Sequence, residues 1–212
     1  MAFLRKNKRP DTDVADTAPT PAGPRSSGPW DEFERETADD AAYVDLGALR
    51  VRGRAGMEIR LQSDGNTDRI AAALVVVPQA AMELRAFAGP RSPGQWDLVR
   101  ADIVEEVTRL KGEVAEVDGP FGREVHAKIP VTMEDGKAGV QPSRIIGIDG
   151  PRWFLRATLL GRSALEPSDD DVLLDTLRDV VVVRGPEAMV AREPLRLTPP
   201  EGSVVPGVDP AE

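Results

Sequence analysis

Gly89 and Gly94, in the stretch "AFAGPRSPGQWDLVR" (86–100), stand at the spacing of the glycines in a phosphate-cradling loop. That loop reads G-x-x-x-x-G-K-[ST]: its lysine grips the outer phosphates and its hydroxyl holds Mg²⁺. Here Gln95 and Trp96 occupy the lysine and hydroxyl positions, so neither the charge nor the metal ligand is present. The dinucleotide pattern G-x-G-x-x-G is absent as well. The stretch therefore reads as a corner from strand to helix. One weaker chemistry survives. Arg91 beside a helix N-terminus is a candidate anion-binding residue for a carboxylate or phosphate, without catalysis, because the free N–H groups there carry partial positive charge.

The remaining reactive residues are sparse. His126 is the single histidine and cysteine is absent, which removes disulfides, thiolate metal sites and Cys nucleophiles and argues against zinc. No serine sits in G-x-S-x-G; "GRSAL" lacks the second glycine. His126 falls on the polar face of a strand and reads as solvated. "DGNTDR" (64–69) imitates a calcium loop through Asp64, Asn66 and Asp68, but Arg69 replaces the needed Gly and Val75 the needed Glu. Asp169, Asp170 and Asp171 read as helix N-terminal charge. No pair among the 36 acids stands out as catalytic. The expectation is no catalytic residue, no metal and no cofactor.

Arg152, Phe154 and Arg156 alternate on one face of a strand-like segment. Two guanidiniums flanking an aromatic can stack on a partner, which makes these three the candidate interaction surface. The competing expectation, which we favour, places Phe154 in a core under a helix with the arginine stems snorkelling.

Elements able to position these residues follow from periodicity. "GMEIRLQ" sets Met57, Ile59 and Leu61 against Glu58, Arg60 and Gln62, the period of two of a half-buried strand. "SDGN" reads as a turn, "RIAAALVVVP" as a more apolar strand, and "AMELRAFA" as a strand with Met82, Leu84 and Phe87 near a core and alternation slipping late. Trp96, Val99, Ile103, Val107 and Leu110 form a helical stripe. Ser92 is the expected N-cap, Pro93 the first helical residue, Gln95 the capping-box partner and Gly112 the left-handed C′ residue. "FGREVHAKIPV" alternates Phe121, Val125, Ala127, Ile129 and Val131 against Glu124, His126 and Lys128. "EDGK" reads as a hairpin turn, and "RIIGIDGPRWFLRATLLG" as a second hairpin about Asp149 and Gly150. Trp153, Leu155, Ala157 and Leu159 share one face there. A last helix, with Ser168 as N-cap and Leu174 and Leu177 leading its stripe, feeds a strand at 180–183.

The fold class expected is α+β: a mainly antiparallel sheet with two amphipathic helices, since two helices are too few to cover a parallel sheet. Residues 1–40 and 191–212 read as flexible, Pro-rich tails around a single domain at 41–190. Hydrophobic residues at 41% can fill a core, but aromatics at 4% make it aliphatic. The net charge of -9 disfavours nucleic acid and anionic lipid. The basic start lacks the apolar region of a secretory signal and no run is long enough to span a membrane, so the expected location is cytoplasmic.

"FAGPRSPGQWDLVRADI", "VDGPFGREVHAKIPV", "IIGIDGPRWFLRATLLGRSALEP" and "LRDVVVVRG" together resemble an actinobacterial family carrying domain of unknown function 3710. The resemblance covers roughly residues 40–195 and is most specific at "GPRWFLR". It implies no activity, so no site residue is carried over. The element order is also similar to the Mog1/PsbP-like fold, a likeness of topology only. The functional expectation is a non-catalytic cytoplasmic accessory or protein-interaction module with another protein as partner. The alternative is small-ligand or anion binding at Arg91.

Overall fold

The computed structural model describes residues 27–37, 40–63, 69–132, 136–168 and 171–200. In chain order these form β1 (Trp30–Asp31), β2 (Tyr43–Asp45), β3 (Leu49–Arg52), β4 (Glu58–Ser63), β5 (Ile70–Val77), β6 (Ala80–Ala88), α1 (Gln95–Arg109), β7 (Glu113–Gly119) and β8 (Gly122–Thr132). Then follow β9 (Ala138–Gly150), β10 (Trp153–Gly161), a one-turn α2 (Arg162–Leu165), α3 (Val172–Asp179) and β11 (Val181–Val182). The turns expected at "SDGN" and "EDGK", the calcium-loop likeness and Asp169–Asp170 fall wholly or largely outside the described residues.

The fold is α+β, with two mainly antiparallel sheets where one was expected. The main sheet has seven strands in the order β4-β5-β6-β10-β9-β8-β7, every neighbour antiparallel. A small sheet, β1-β11-β3-β2, contains the one parallel pair among the described strands, β1 with β11. Tight turns set the antiparallel order. Pro78–Gln79 joins β5 to β6, and Pro151–Arg152 joins β9 to β10. In each, proline presets the first corner and the next residue takes positive φ, 67° at Gln79 and 61° at Arg152. The second hairpin thus turns at Pro151–Arg152, two residues past the place expected from Asp149 and Gly150.

The aliphatic core lies between the two sheets. Val75, Met82, Leu84, Leu155 and Leu159 meet Leu49, Val51, Leu173, Leu174 and Leu177 there, all fully or almost fully buried. Alternation in β6 does not slip: Met82, Leu84, Ala86 and Ala88 face this core, and Phe87 faces a second one. That second core packs α1 on the other side of the sheet through Trp96, Val107, Val125, Ala127, Ile145 and Phe154. The apolar stripe of α1 ends at Val107, since Leu110 is 42% exposed.

Two local expectations need correction. Lys111, not Gly112, takes the left-handed C′ position (φ 59°). The Lys111 N–H donates to Thr108 O and the Gly112 N–H to Val107 O, which is the Schellman pattern. Gly112 is needed for closeness instead: a Cβ there would come 2.7 Å from Lys128 O. In α3 the N-cap is Asp171, whose side chain accepts from the Leu173 N–H, and not Ser168.

The packed chain also extends past both boundaries expected at 40 and 190. Asp31 of β1 is buried and accepts the Trp153 indole N–H at 2.7 Å. Beyond residue 190, Leu195 N donates to Ala86 O and Leu197 N to Ile70 O. Both leucines are buried in the main core, because alternate apolar positions in "PLRL" fit an added strand-like segment despite the neighbouring prolines. Residues 1–26 and 201–212 lie outside the described residues.

Candidate functional site

The opening loop is a corner, and its anion is internal. α1 begins at Gln95 with Gly94 as N-cap (φ 102°), and no Ser92 or Gln95 side chain caps it. The Asp149 carboxylate, at the end of β9, accepts from the N–H of Gly94 (2.9 Å) and of Trp96 (3.1 Å). The helix N-terminus that Arg91 was expected to exploit is therefore already occupied by a carboxylate of the same chain. Arg91 itself is exposed. Gly89 is there because a Cβ would lie 2.9 Å from the Trp153 backbone, and Gly94 because of its positive φ. Asp149→Ala should cost about 1–2 kcal/mol as the loss of a charged cap. Arg91→Ala should stay within about 0.5 kcal/mol, the usual range for an exposed side chain. Urea denaturation of both variants checks this, and equal losses would overturn the assignment.

Of the expected interaction surface, Phe154 is withdrawn. It is 2% exposed and stacks between Phe87 (centroids 5.9 Å apart) and Trp96 (6.0 Å), under α1. The reason is that Phe154 directly faces Phe87 across the β10–β6 ladder, so the two rings make one apolar floor for the helix. Arg152 is exposed in the hairpin turn, where its carbonyl accepts from Gly89 N and Arg184 Nε. Only Arg156 remains on the face.

Arg156 sits in an unbalanced charge cluster. Its guanidinium carbon lies 5.8 Å from the Phe87 ring centroid. Its Nη2 is 3.8 Å from Glu83 Oε1, but Arg85 already holds Glu83 through Nε (2.8 Å) and Nη2 (3.2 Å). Two guanidiniums thus share one carboxylate. Arg156 Nε is buried with no partner among the described residues. Burial pulls the Arg156 guanidinium below its ordinary range, Glu83 opposing and Arg85 adding to the shift. It stays charged, as arginine does throughout the working pH range.

The surrounding face is set by register. Leu74 pairs with Arg60 on one side and Glu83 on the other, and Glu83 with Thr158. Val76 pairs with Glu58 and Ala81, and Ala81 with Leu160. Directly paired residues share a face, so half-buried Leu74, Val76 and Leu160 line up between charges on the side away from the main core. α1 packs over β7, β8 and β9, at the other end of this side. Sequence reasoning missed Glu83 and Arg85. The signal was present, since both occupy polar positions of the period of two in "AMELRAFA".

His126 is not simply solvated: its Nε2 lies 2.7 Å from Glu124 Oε1. Glu124, expected on the polar face, is 2% exposed, because Arg144 arrives from β9 to pair with it. Among the described residues no helix is long and apolar enough to cross a membrane, and no group of three or more His, Cys, Asp or Glu is placed to hold a metal ion.

Fold and face define an α+β domain whose main sheet is covered on one side by a small sheet and α3, and on the other by α1 at one end only. The chain belongs to a family of proteins of unknown function, DUF3710, whose model matches residues 28–204. That match runs from just before β1 to just beyond the buried Leu197. No curated protein matches the chain.

Proposed function

We propose that the protein is a non-catalytic interaction module of the cytoplasm, and that a partner protein docks on the face formed by β4, β5, β6 and β10. One observation carries this: Arg156 is half-buried beside Arg85 with a single carboxylate between them and an unpartnered Nε. An isolated chain gains little by desolvating a guanidinium without satisfying it. A partner's Asp or Glu placed against Arg85 and Arg156 would make charge-assisted hydrogen bonds. Leu74, Val76 and Leu160 supply the apolar contact an interface core needs. The cytoplasmic placement rests on the sequence, in which no run is long enough to span a membrane.

The test is a photo-crosslinking amino acid placed at Leu74, on the face, or at Leu98, which is 58% exposed on α1. Expressed in the native cells, the Leu74 variant should give one discrete heavier adduct and the Leu98 variant none. Arg156→Glu should remove the adduct while leaving the melting temperature nearly unchanged. Adducts alike at both positions, or indifferent to Arg156→Glu, would overturn the assignment.

A further inference from the structure

We propose a second, separate site: the cleft over Glu124, His126 and Arg144 binds a small molecule bearing a carboxylate or phosphate. It lies on the other side of the main sheet from the docking face, since register pairs Arg144 with Leu159 on the core side of β10. It does not depend on that face.

The floor is built by strand geometry. Glu124 and His126 are two apart on β8 and so share a face, and Arg144 of β9 stands directly across from His126. Glu124 Oε1 accepts from Arg144 Nε (2.7 Å) and lies 2.7 Å from His126 Nε2; its Oε2 accepts from Arg144 Nη2 (3.1 Å). The Glu124 and Arg144 side chains are each 3% exposed, and His126 is 31% exposed. Above them opens a cleft of about 410 Å³, rimmed by Asp118, Gly119, Pro167 and Ser168.

What distinguishes this from a purely structural pair is what Glu124 leaves unused. A buried ion pair is favourable only when its remaining donors are satisfied. Arg144 Nη1 is buried with no partner among the described residues, and the His126 contact with Glu124 is made through Nε2. Glu124 thus holds both side chains by one edge and leaves Arg144 a donor without an acceptor. Its charge cancels that of Arg144, so the pair does not repel an anion that brings the acceptor Nη1 lacks. Asp118 on the rim does not supply it, being 86% exposed and paired with Arg123 at 3.0 Å. Glu124 is a positioning residue here. Gly119 lets it sit so close to the loop, for a Cβ there would fall 2.2 Å from Glu124 Oε2.

The single histidine makes the test direct, because the imidazole nitrogens of the full chain give one pair of ¹⁵N signals. The chain is titrated separately with inorganic phosphate and with succinate, against sodium chloride at matched ionic strength. At least one oxyanion should move the Nδ1 signal saturably while chloride does not; which one saturates tells phosphate from carboxylate. Ser168→Trp, an exposed rim change that fills the mouth, should weaken that binding by about tenfold or more. Arg144→Gln should do the same, through loss of a charged donor worth about tenfold or more in affinity. If Arg144→Gln fails to fold, Ser168→Trp decides alone. A shift that only rises linearly with both probes, or saturable binding untouched by Ser168→Trp, would overturn the proposal.

Discussion

Trp96→Ala is expected to destabilise the domain by about 3–5 kcal/mol, the range for removing a large buried aromatic. Trp96 is 6% exposed, stacks on Phe154, and its indole N–H donates to Arg123 O. It also packs flat on Gly147, where a Cβ would lie 2.1 Å from the indole Cε3. One ring therefore ties α1 to β8, β9 and β10 together. Few other groups on the helix can compensate, since only Gln95, Trp96 and Val107 of α1 are buried. An ordinary domain has about 5–15 kcal/mol in total, so the loss is a large share. Gly147→Ala presses on the same ring from below and should cost about 1–3 kcal/mol as overpacking. Leu98→Ala, on the exposed side, should change little. The measurement is the urea midpoint of each variant at constant slope. A Trp96→Ala loss below about 1 kcal/mol would mean that the second core closes over the gap, contrary to the usual partial relaxation.

Breaking the Glu124–Arg144 pair from either side should be as costly. Glu124→Leu alone leaves a buried guanidinium uncompensated, and Arg144→Met alone leaves a buried carboxylate; each should lose about 3–5 kcal/mol. The double variant should recover most of this, and replacing a buried pair by apolar groups can even add about 1–4 kcal/mol. A full thermodynamic cycle from chemical denaturation reads the coupling. Additive losses would show that the two side chains do not act as a pair. The double variant serves a second purpose: a folded chain with an apolar floor should no longer bind oxyanions, which separates the role of the pair in binding from its role in folding.

Much of the architecture was legible because it is local. The period of two in "GMEIRLQ" and in Trp153, Leu155, Ala157 and Leu159 reports which side chains face the core, and the structure buries or half-buries those residues. The same holds for the helical stripe from Trp96 to Val107, whereas the second hairpin turns at Pro151–Arg152 and not about Asp149 and Gly150. Glu83 and Arg85 were within reach of the same rule.

Other features depended on which segments meet, and no local pattern carries that. Asp149 caps a helix that starts more than fifty residues earlier, and Ser92, adjacent to that helix, does not. The sequence favours a core place for Phe154 but does not say that Phe87 and Trp96, from two other elements, are what cover it. Glu124 is buried only because Arg144 stands across the ladder to neutralise it. Leu195 and Leu197 are buried because the edges of β5 and β6 leave backbone groups free for them. By itself, then, the sequence determined the α+β class and the inward face of most elements, since both follow from the periodicity of a chain that must hide its apolar side chains. The tertiary structure alone decided which charges are buried and which face stays open, because a charge is tolerated inside only where a distant partner arrives to meet it.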